Sequence, residues 1–175
     1  MYSMSSEPLL KASCIASRVE ELGKSISSSY KFDVIISILT GAFIFTADLC
    51  RAMPTKDLRI RFIKASSYGE STESSGSLKV TGLEDMDIKG AKILLVDDIL
   101  DSGRTLKTLV DMFMERGAET VKTCVLLDKK ERREVPIQAD FCGFEIPNEF
   151  VVGYGLDFAN DYRSFPDIWT LNEKL

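Results

Sequence analysis

The stretch ILLVDDILDSGRTL (93–106) decides the fold. With Ala91 and Lys92 ahead of it, it makes a short apolar run that ends in two carboxylates, Asp97 and Asp98. A run so uniformly apolar reads as a strand buried on both faces, and such strands belong to parallel sheets covered by helices. After the carboxylates come Asp101, Ser102, Gly103, Arg104 and Thr105. A helical pattern over 103–116 follows, with Leu106, Leu109, Val110 and Phe113 as its apolar stripe and Gly117 as its stop. Strand, polar loop and helix in that order put the loop beyond the carboxyl end of the strand, where ligands bind in open α/β sheets.

The flanking sequence agrees. FDVIISIL (32–39) is a second buried strand, broken by Thr40 and Gly41, and 42–53 reads as a helix that stops before Pro54. LRIRFIKAS (58–66) alternates, as a strand nearer an edge does, with Leu58, Ile60 and Phe62 on one face and Arg59, Arg61 and Ile63 on the other. SSYGESTESSGS (66–77) is polar and too long for a hairpin turn, which predicts a mobile functional loop. LKVTGL (78–83) and TVKTCVLLD (120–128) read as further strands, and short strands and loops occupy the rest. Residues 6–29 read as an amphipathic helix capped by Ser6, with Pro8 in the first turn and Ile15, Val19, Leu22 and Ile26 facing inward. The prediction is an α/β fold with a mainly parallel central sheet flanked by helices, one domain over 1–175.

Composition removes several mechanisms. The 175 residues hold 22 Lys plus Arg, 27 Asp plus Glu and no histidine. Ser-His-Asp and Cys-His sites, HExxH proteases and histidine-bearing zinc fingers are therefore out. A net charge of −5 argues against a general nucleic-acid binder. Cysteines 14, 50, 124 and 142 form no CxxC pair and read as free thiols of a reducing compartment. No basic-then-apolar leader opens the chain and no apolar run reaches the roughly 18 residues of a membrane span. A cytoplasmic protein without nucleic-acid or membrane partners is expected.

Asp97 and Asp98, ionised, accept hydrogen bonds and donate none, so they suit vicinal hydroxyls or a metal ion. The 101–105 segment leads into a helix N-terminus, whose free N–H groups, with Ser102, Thr105 and the small Gly103, make a cradle for phosphate. Diol and phosphate one loop apart describe a ribose 5-phosphate. The plainer alternative is an acidic turn with a good helix cap. A response-regulator receiver also has an acidic pair after a strand, but the later strands lack its phospho-acceptor and distal lysine. There is no Walker A motif, and Gly153-Tyr154-Gly155 lacks the third glycine of a dinucleotide fingerprint.

VDDILDSGRT resembles the phosphoribosyl pyrophosphate (PRPP) motif of type I phosphoribosyltransferases: four apolar residues, two acidic, two apolar, then D-[ST]-G-x-T. FEIPNEFVVGYGLDFANDYRSFPDI (144–168) is similar to the C-terminal signature of hypoxanthine-guanine phosphoribosyltransferases, and KASSYG (64–69) and LLDK (126–129) fit their bacterial-like form. The resemblance covers about 30 to 171 in order. It implies transfer of a 5-phosphoribosyl group from PRPP to hypoxanthine or guanine, in a type I fold with a small hood formed by terminal segments, the C-terminal part from about 140 contributing most.

Carried over by residue, the resemblance gives Asp97 and Asp98 the ribose hydroxyls. Ser102, Gly103, Arg104 and Thr105 receive the 5-phosphate. Asp101 becomes the general base at purine N7, a role that a histidine-free chain leaves to a carboxylate. Lys129 donates to the 6-oxo group, which separates hypoxanthine and guanine from adenine. Without the resemblance Lys129 is a solvated charge, as Lys130, Arg132 and Arg133 are here read to be. Phe150 stacks on the purine, the backbone of Val151 meets its edge, and Asp157 orients it. Arg163, with Thr40 and Gly41, takes pyrophosphate, and a cis peptide falls at Leu39–Thr40. Ser67 and Tyr68 belong to the lid. Mg2+ is the implied cofactor, held mostly through water near Asp97, Asp98 and Asp157. A homodimer or homotetramer is implied as well. A xanthine-preferring enzyme and a PRPP-sensing regulator are the minor alternatives, the latter disfavoured by the charge of −5 and the intact set Asp101, Lys129 and Arg163.

Overall fold

The computed structural model describes residues 2–67 and 78–173. The strands are β1 (Tyr2–Met4), β2 (Val34–Leu39), β3 (Arg59–Ser67), β4 (Leu78–Thr81), β5 (Lys92–Leu100), β6 (Thr120–Asp128), β7 (Phe141–Glu145), β8 (Val151–Val152) and β9 (Trp169–Glu173). The helices are α1 (Ala12–Ser29), α2 (Phe43–Ala52) and α3 (Arg104–Glu115). The main sheet has the order β4-β3-β2-β5-β6-β7, parallel except for β4, which runs antiparallel to β3. From β2 the chain steps outward through α2 to β3. It then returns across β2 to β5 and continues through α3 to β6. Strand order therefore reverses between β2 and β5, and the carboxyl ends of these two strands open the crevice that an α/β sheet offers a ligand.

Burial on both faces explains the two apolar runs. Ile35, Leu94, Val96, Cys124 and Leu126 face α1 and α2, while Ile36, Ile38, Ile93, Leu95 and Val125 face α3. The α1 stripe of Ile15, Val19, Leu22 and Ile26 and the α3 stripe of Leu106, Leu109 and Phe113 complete the two layers as predicted. On β3 the inward face is the other one. Ile63 is 1% exposed, whereas Ile60 and Phe62 lie open. The alternation has a period of two but no sign; α2 packs on β2 and β5 and leaves the Ile60 face of β3 uncovered.

The N-terminal segment departs from expectation. The helix begins at Ala12, not near Ser6, and its flanking residue Lys11 makes no side-chain cap. Asp167 supplies the cap from far along the chain, its Oδ1 accepting from the Ala12 N–H at 2.7 Å. Residues 2–10 are drawn instead into a second sheet, β1-β9-β8, with Ser5 N–H donating to Thr170 O and Leu10 N–H to Ile168 O. The two terminal segments thus share one small sheet, and β7 pairs with β6 in the main sheet. Ser66 and Ser67 close β3, opposite Lys79 and Leu78, so the strand runs one residue past the predicted 58–66.

Candidate active site

β5 does not end at its carboxylates; it runs on to Leu100, carrying Asp97 and Asp98 within the strand. Asp98 N–H donates to Asp97 Oδ1 at 3.0 Å and Ile99 N–H to Asp98 Oδ1 at 2.8 Å. Burial pushes both carboxyls up, Asp97 further because the Asp98 charge adds to it, while Arg163 opposes the rise at Asp98. Across the switch point the Leu39–Thr40 peptide is cis, as the resemblance implied. Gly41 then passes so close that a Cβ would lie 1.6 Å from Asp98 Oδ2. No larger residue fits there without displacing the carboxylate.

Two cavities meet at this seam and share Thr40, Gly41, Asp98, Ile99 and Asp101. The smaller, of about 250 Å³, is lined also by Asp97, Ser102, Gly103 and Thr105. Gly103 caps α3 in the left-handed region (φ +83°), a conformation that glycine adopts freely. Its carbonyl accepts from Lys107 N–H and Arg104 N–H donates to Ser102 Oγ at 3.4 Å, which leaves the Thr105 and Leu106 N–H groups for a ligand. The larger cavity, of about 520 Å³, is lined by Lys129, Arg132, Asn148, Glu149, Phe150, Val151, Leu156, Asp157 and Arg163.

Within the larger cavity the side chains have distinct anchors. Lys129 follows β6, is 7% exposed, and its N–H donates to Leu100 O at 2.9 Å. Burial lowers its pKa, and the Asp101 charge opposes that. Among the described residues its ammonium forms no ion pair. Phe150 is 49% exposed and not in the core; it stands edge-on to Phe158 at 5.7 Å, and Phe158 rests on Tyr2. Val151 is buried by its pairing with Thr170. Asp157 has both oxygens engaged: Oδ1 lies 2.9 Å from Arg163 Nη2, and Oδ2 accepts from Asn160 N–H at 2.8 Å. Arg163 Nη1 also donates to Gly155 O at 2.7 Å. Tyr154 ties this hairpin to α2 through its hydroxyl, which donates to Asp48 Oδ2 at 2.6 Å; burial and the Asp48 charge push the phenol up.

The predicted residues Asp97, Asp98, Asp101, Ser102, Gly103, Thr105, Thr40, Gly41, Lys129, Phe150, Val151, Asp157 and Arg163 thus line one continuous cleft. Arg104 does not line it: its guanidinium points away to Glu134 Oε2, at 2.5 Å. Among the described residues no three acidic or Cys groups cluster as direct ligands of a metal. Ser67 ends β3, and Tyr68 lies outside the described residues. Of two arginines read as solvated, one belongs to the site and the other lies behind it. Arg132 lines the larger cavity with Nε 3.2 Å from Asp101 Oδ1, an oxygen that is buried and, among the described residues, accepts no hydrogen bond. Arg133 is folded under the loop and paired with Asp128. In the charge run 129–134 no periodicity separates the inward residues from the outward ones. Only the single 3-10 turn over Lys130–Arg132 does so.

A site with a carboxylate pair near the end of a central strand, a glycine-led helix N-terminus and an exposed aromatic ring has known counterparts. The family model of the phosphoribosyl transferase domain matches residues 5–159. The chain is 47% identical over 168 residues to the hypoxanthine-guanine phosphoribosyltransferase of Aquifex aeolicus, spanning 94% of each. It is 46% identical over 159 residues to that of Bacillus subtilis, spanning 90% of this chain and 88% of the other. The crystal structure of a hypoxanthine-guanine phosphoribosyltransferase from Bacillus anthracis superimposes with a TM-score of 0.87 at 37% identity, over 98% of this chain and all of that one.

Proposed function

This chain belongs to the phosphoribosyltransferase family, and we propose that it salvages purines by joining hypoxanthine or guanine to the 5-phosphoribosyl group of PRPP. The carrying observation is the pair of cavities joined at Asp98 and Asp101, one lined by Asp97, Ser102, Gly103 and Thr105 and one by Lys129, Phe150 and Val151. In the reaction the bond from ribose C1′ to pyrophosphate breaks and a bond from C1′ to purine N9 forms. The proton on N7 passes to Asp101, and pyrophosphate leaves with its electron pair.

Each residue has a role in that reading. Asp97 and Asp98 accept from the ribose hydroxyls. The N–H groups of the 101–105 loop, Ser102 and Thr105 hold the 5-phosphate. Lys129 donates to O6, Phe150 stacks on the ring and the Val151 backbone meets its edge. Arg163, oriented by Asp157, and the backbone of Thr40 and Gly41 face the pyrophosphate, where charge grows in the transition state. Ser67 and Tyr68 belong to the lid that keeps water from the oxocarbenium-like centre. Arg132 holds Asp101 until a base enters.

The donor chemistry fits magnesium. Asp97 and Asp98 are desolvated carboxylates whose ionised forms a nearby cation would favour, and Asp157 already spends its oxygens on Arg163 and Asn160. Mg2+ carried mainly by substrate oxygens and water, near Asp97 and Asp98 and reaching Asp157 through water, suits such a set. Bound there, it would neutralise pyrophosphate charge. The reading includes a homodimer or homotetramer, supported by the open apolar side chains Phe43, Ile60 and Phe62, and a cytoplasmic site of action, supported by four free cysteines. Among the described residues no helix is long and apolar enough to cross a membrane.

The test is pyrophosphate release by the purified protein with PRPP, Mg2+ and each purine in turn. Turnover with hypoxanthine or guanine and none with adenine is expected. No turnover with any 6-oxopurine overturns the proposal.

A further inference from the structure

We infer that the buried Asp128–Arg133 pair is a positioning device for the phosphate loop, holding 101–105 in its binding shape from behind. The inference rests on the function proposed above. Neither residue lines the cleft, so both act through what they support.

The inner side of the loop rests on the segment 133–137. A Cβ on Gly103 would lie 2.5 Å from Ile137 Cγ2, 3.0 Å from Arg133 Cδ and 3.2 Å from Val135 Cγ2. Glu134 N–H donates to Ser102 O at 2.9 Å, and the Arg104–Glu134 ion pair closes the outer edge. The loop therefore takes its position from a segment that has no helix or strand of its own. That segment is anchored by Arg133, whose Nη2 donates to Asp128 Oδ1. Asp128 is a fixed point: it ends β6, opposite Leu100 on one side and Glu145 on the other, and its carbonyl accepts from Ile146 N–H.

The pair is a poor stabiliser. Both side chains are largely buried, at 9% and 16% exposure, and Arg133 Nε and Nη1 are buried with no acceptor among the described residues. A buried ion pair with unmet donors adds little net stability compared with apolar side chains of the same volume. What it does provide is a directional link from a rigid strand to a loop whose N–H groups must be aimed before phosphate arrives.

The experiment compares the affinities of IMP and inosine, which differ only in the 5-phosphate, for the wild-type protein and for Arg133→Gln, Arg133→Lys and Asp128→Asn. We expect the nucleotide-over-nucleoside preference to fall by about tenfold in Arg133→Gln, the lower end of what removing an outer support does. Inosine affinity should stay within about twofold, and Arg133→Lys should recover part of the loss because it keeps the charge facing Asp128. Asp128→Asn is isosteric and carries the comparison if Arg133→Gln does not fold. An unchanged preference in both neutral variants overturns the inference alone. A wild-type protein with no preference for the nucleotide overturns the proposed function and the inference with it.

Discussion

The two halves of the cleft are built in opposite ways. The half proposed for the phosphate draws most of its lining from one unbroken stretch, 97–105, and presents backbone as much as side chain. The half proposed for the purine is assembled from Asp98 and Asp101, the β6 end at Lys129, the turn at Arg132, residues 148–151 and the hairpin carrying Asp157 and Arg163. The first is held by a strand and a helix that follow each other directly. The second depends on α1, α2 and the N-terminal strand being in place, through Asp167 on Ala12, Tyr154 on Asp48 and Tyr2 on Phe158. Damage should therefore register as lost chemistry in one half and as altered base recognition or stability in the other.

The largest effect should come at the seam. Asp101→Ala is expected to lower turnover by about 10²- to 10⁴-fold with little change in PRPP affinity, the usual contribution of a general base. Single-turnover rates equal to wild type would remove that role. Next, Lys129→Gln should raise the KM for hypoxanthine by about tenfold or more, the value of a hydrogen bond from a charged donor. A rise in the KM for PRPP alone would place Lys129 in the other half and break the division.

Lys129 also makes a prediction about stability. Burial holds its ammonium below the ordinary 10.5. Between the lowered value and 10.5 the unfolded chain binds more protons than the folded one, so stability rises with pH through that window. Below it the full burden of the buried charge is present. Lys129→Met should accordingly raise Tm near neutral pH by about 2–4 °C for each kcal/mol relieved, and the gain should shrink as pH climbs past the window. A constant gain at every pH would assign it to packing. The smallest effects test the scaffold: Asp167→Ala removes the cap of α1 and should lower stability by about 1 kcal/mol while leaving kcat close to wild type. Urea unfolding and steady-state rates separate the two. A loss of kcat without a loss of stability would mean that the small sheet, not the helix, is what Asp167 holds.

Legibility followed the same division. The strand, loop and helix of 93–116 could be read because each signal is local: a buried apolar run, a glycine where a positive φ is needed, and a stripe at helical spacing. The apolar stripe of α1 could be read too, but not its start, because the group that caps it lies 155 residues away. Lys129, Phe150 and Arg163 were reachable only through likeness to a family. Taken alone, each is a residue that more often belongs to the surface or the core. Arg132 and Arg133 were missed because neighbouring charges in a run look alike until a single turn sends one into the cleft and the other beneath the loop.

By itself, then, the sequence determined the layered α/β architecture, the place of the 101–105 loop at the start of a helix and the exclusion of histidine chemistry, since periodicity, turn residues and composition act over a few neighbours. The tertiary structure alone decided which face of β3 points inward, that Gly41 abuts Asp98, that Asp157 is engaged with Arg163, and that residues 2–10 join the small sheet rather than α1. Each of these depends on which distant backbone or charge arrives alongside, and local pattern carries no record of that.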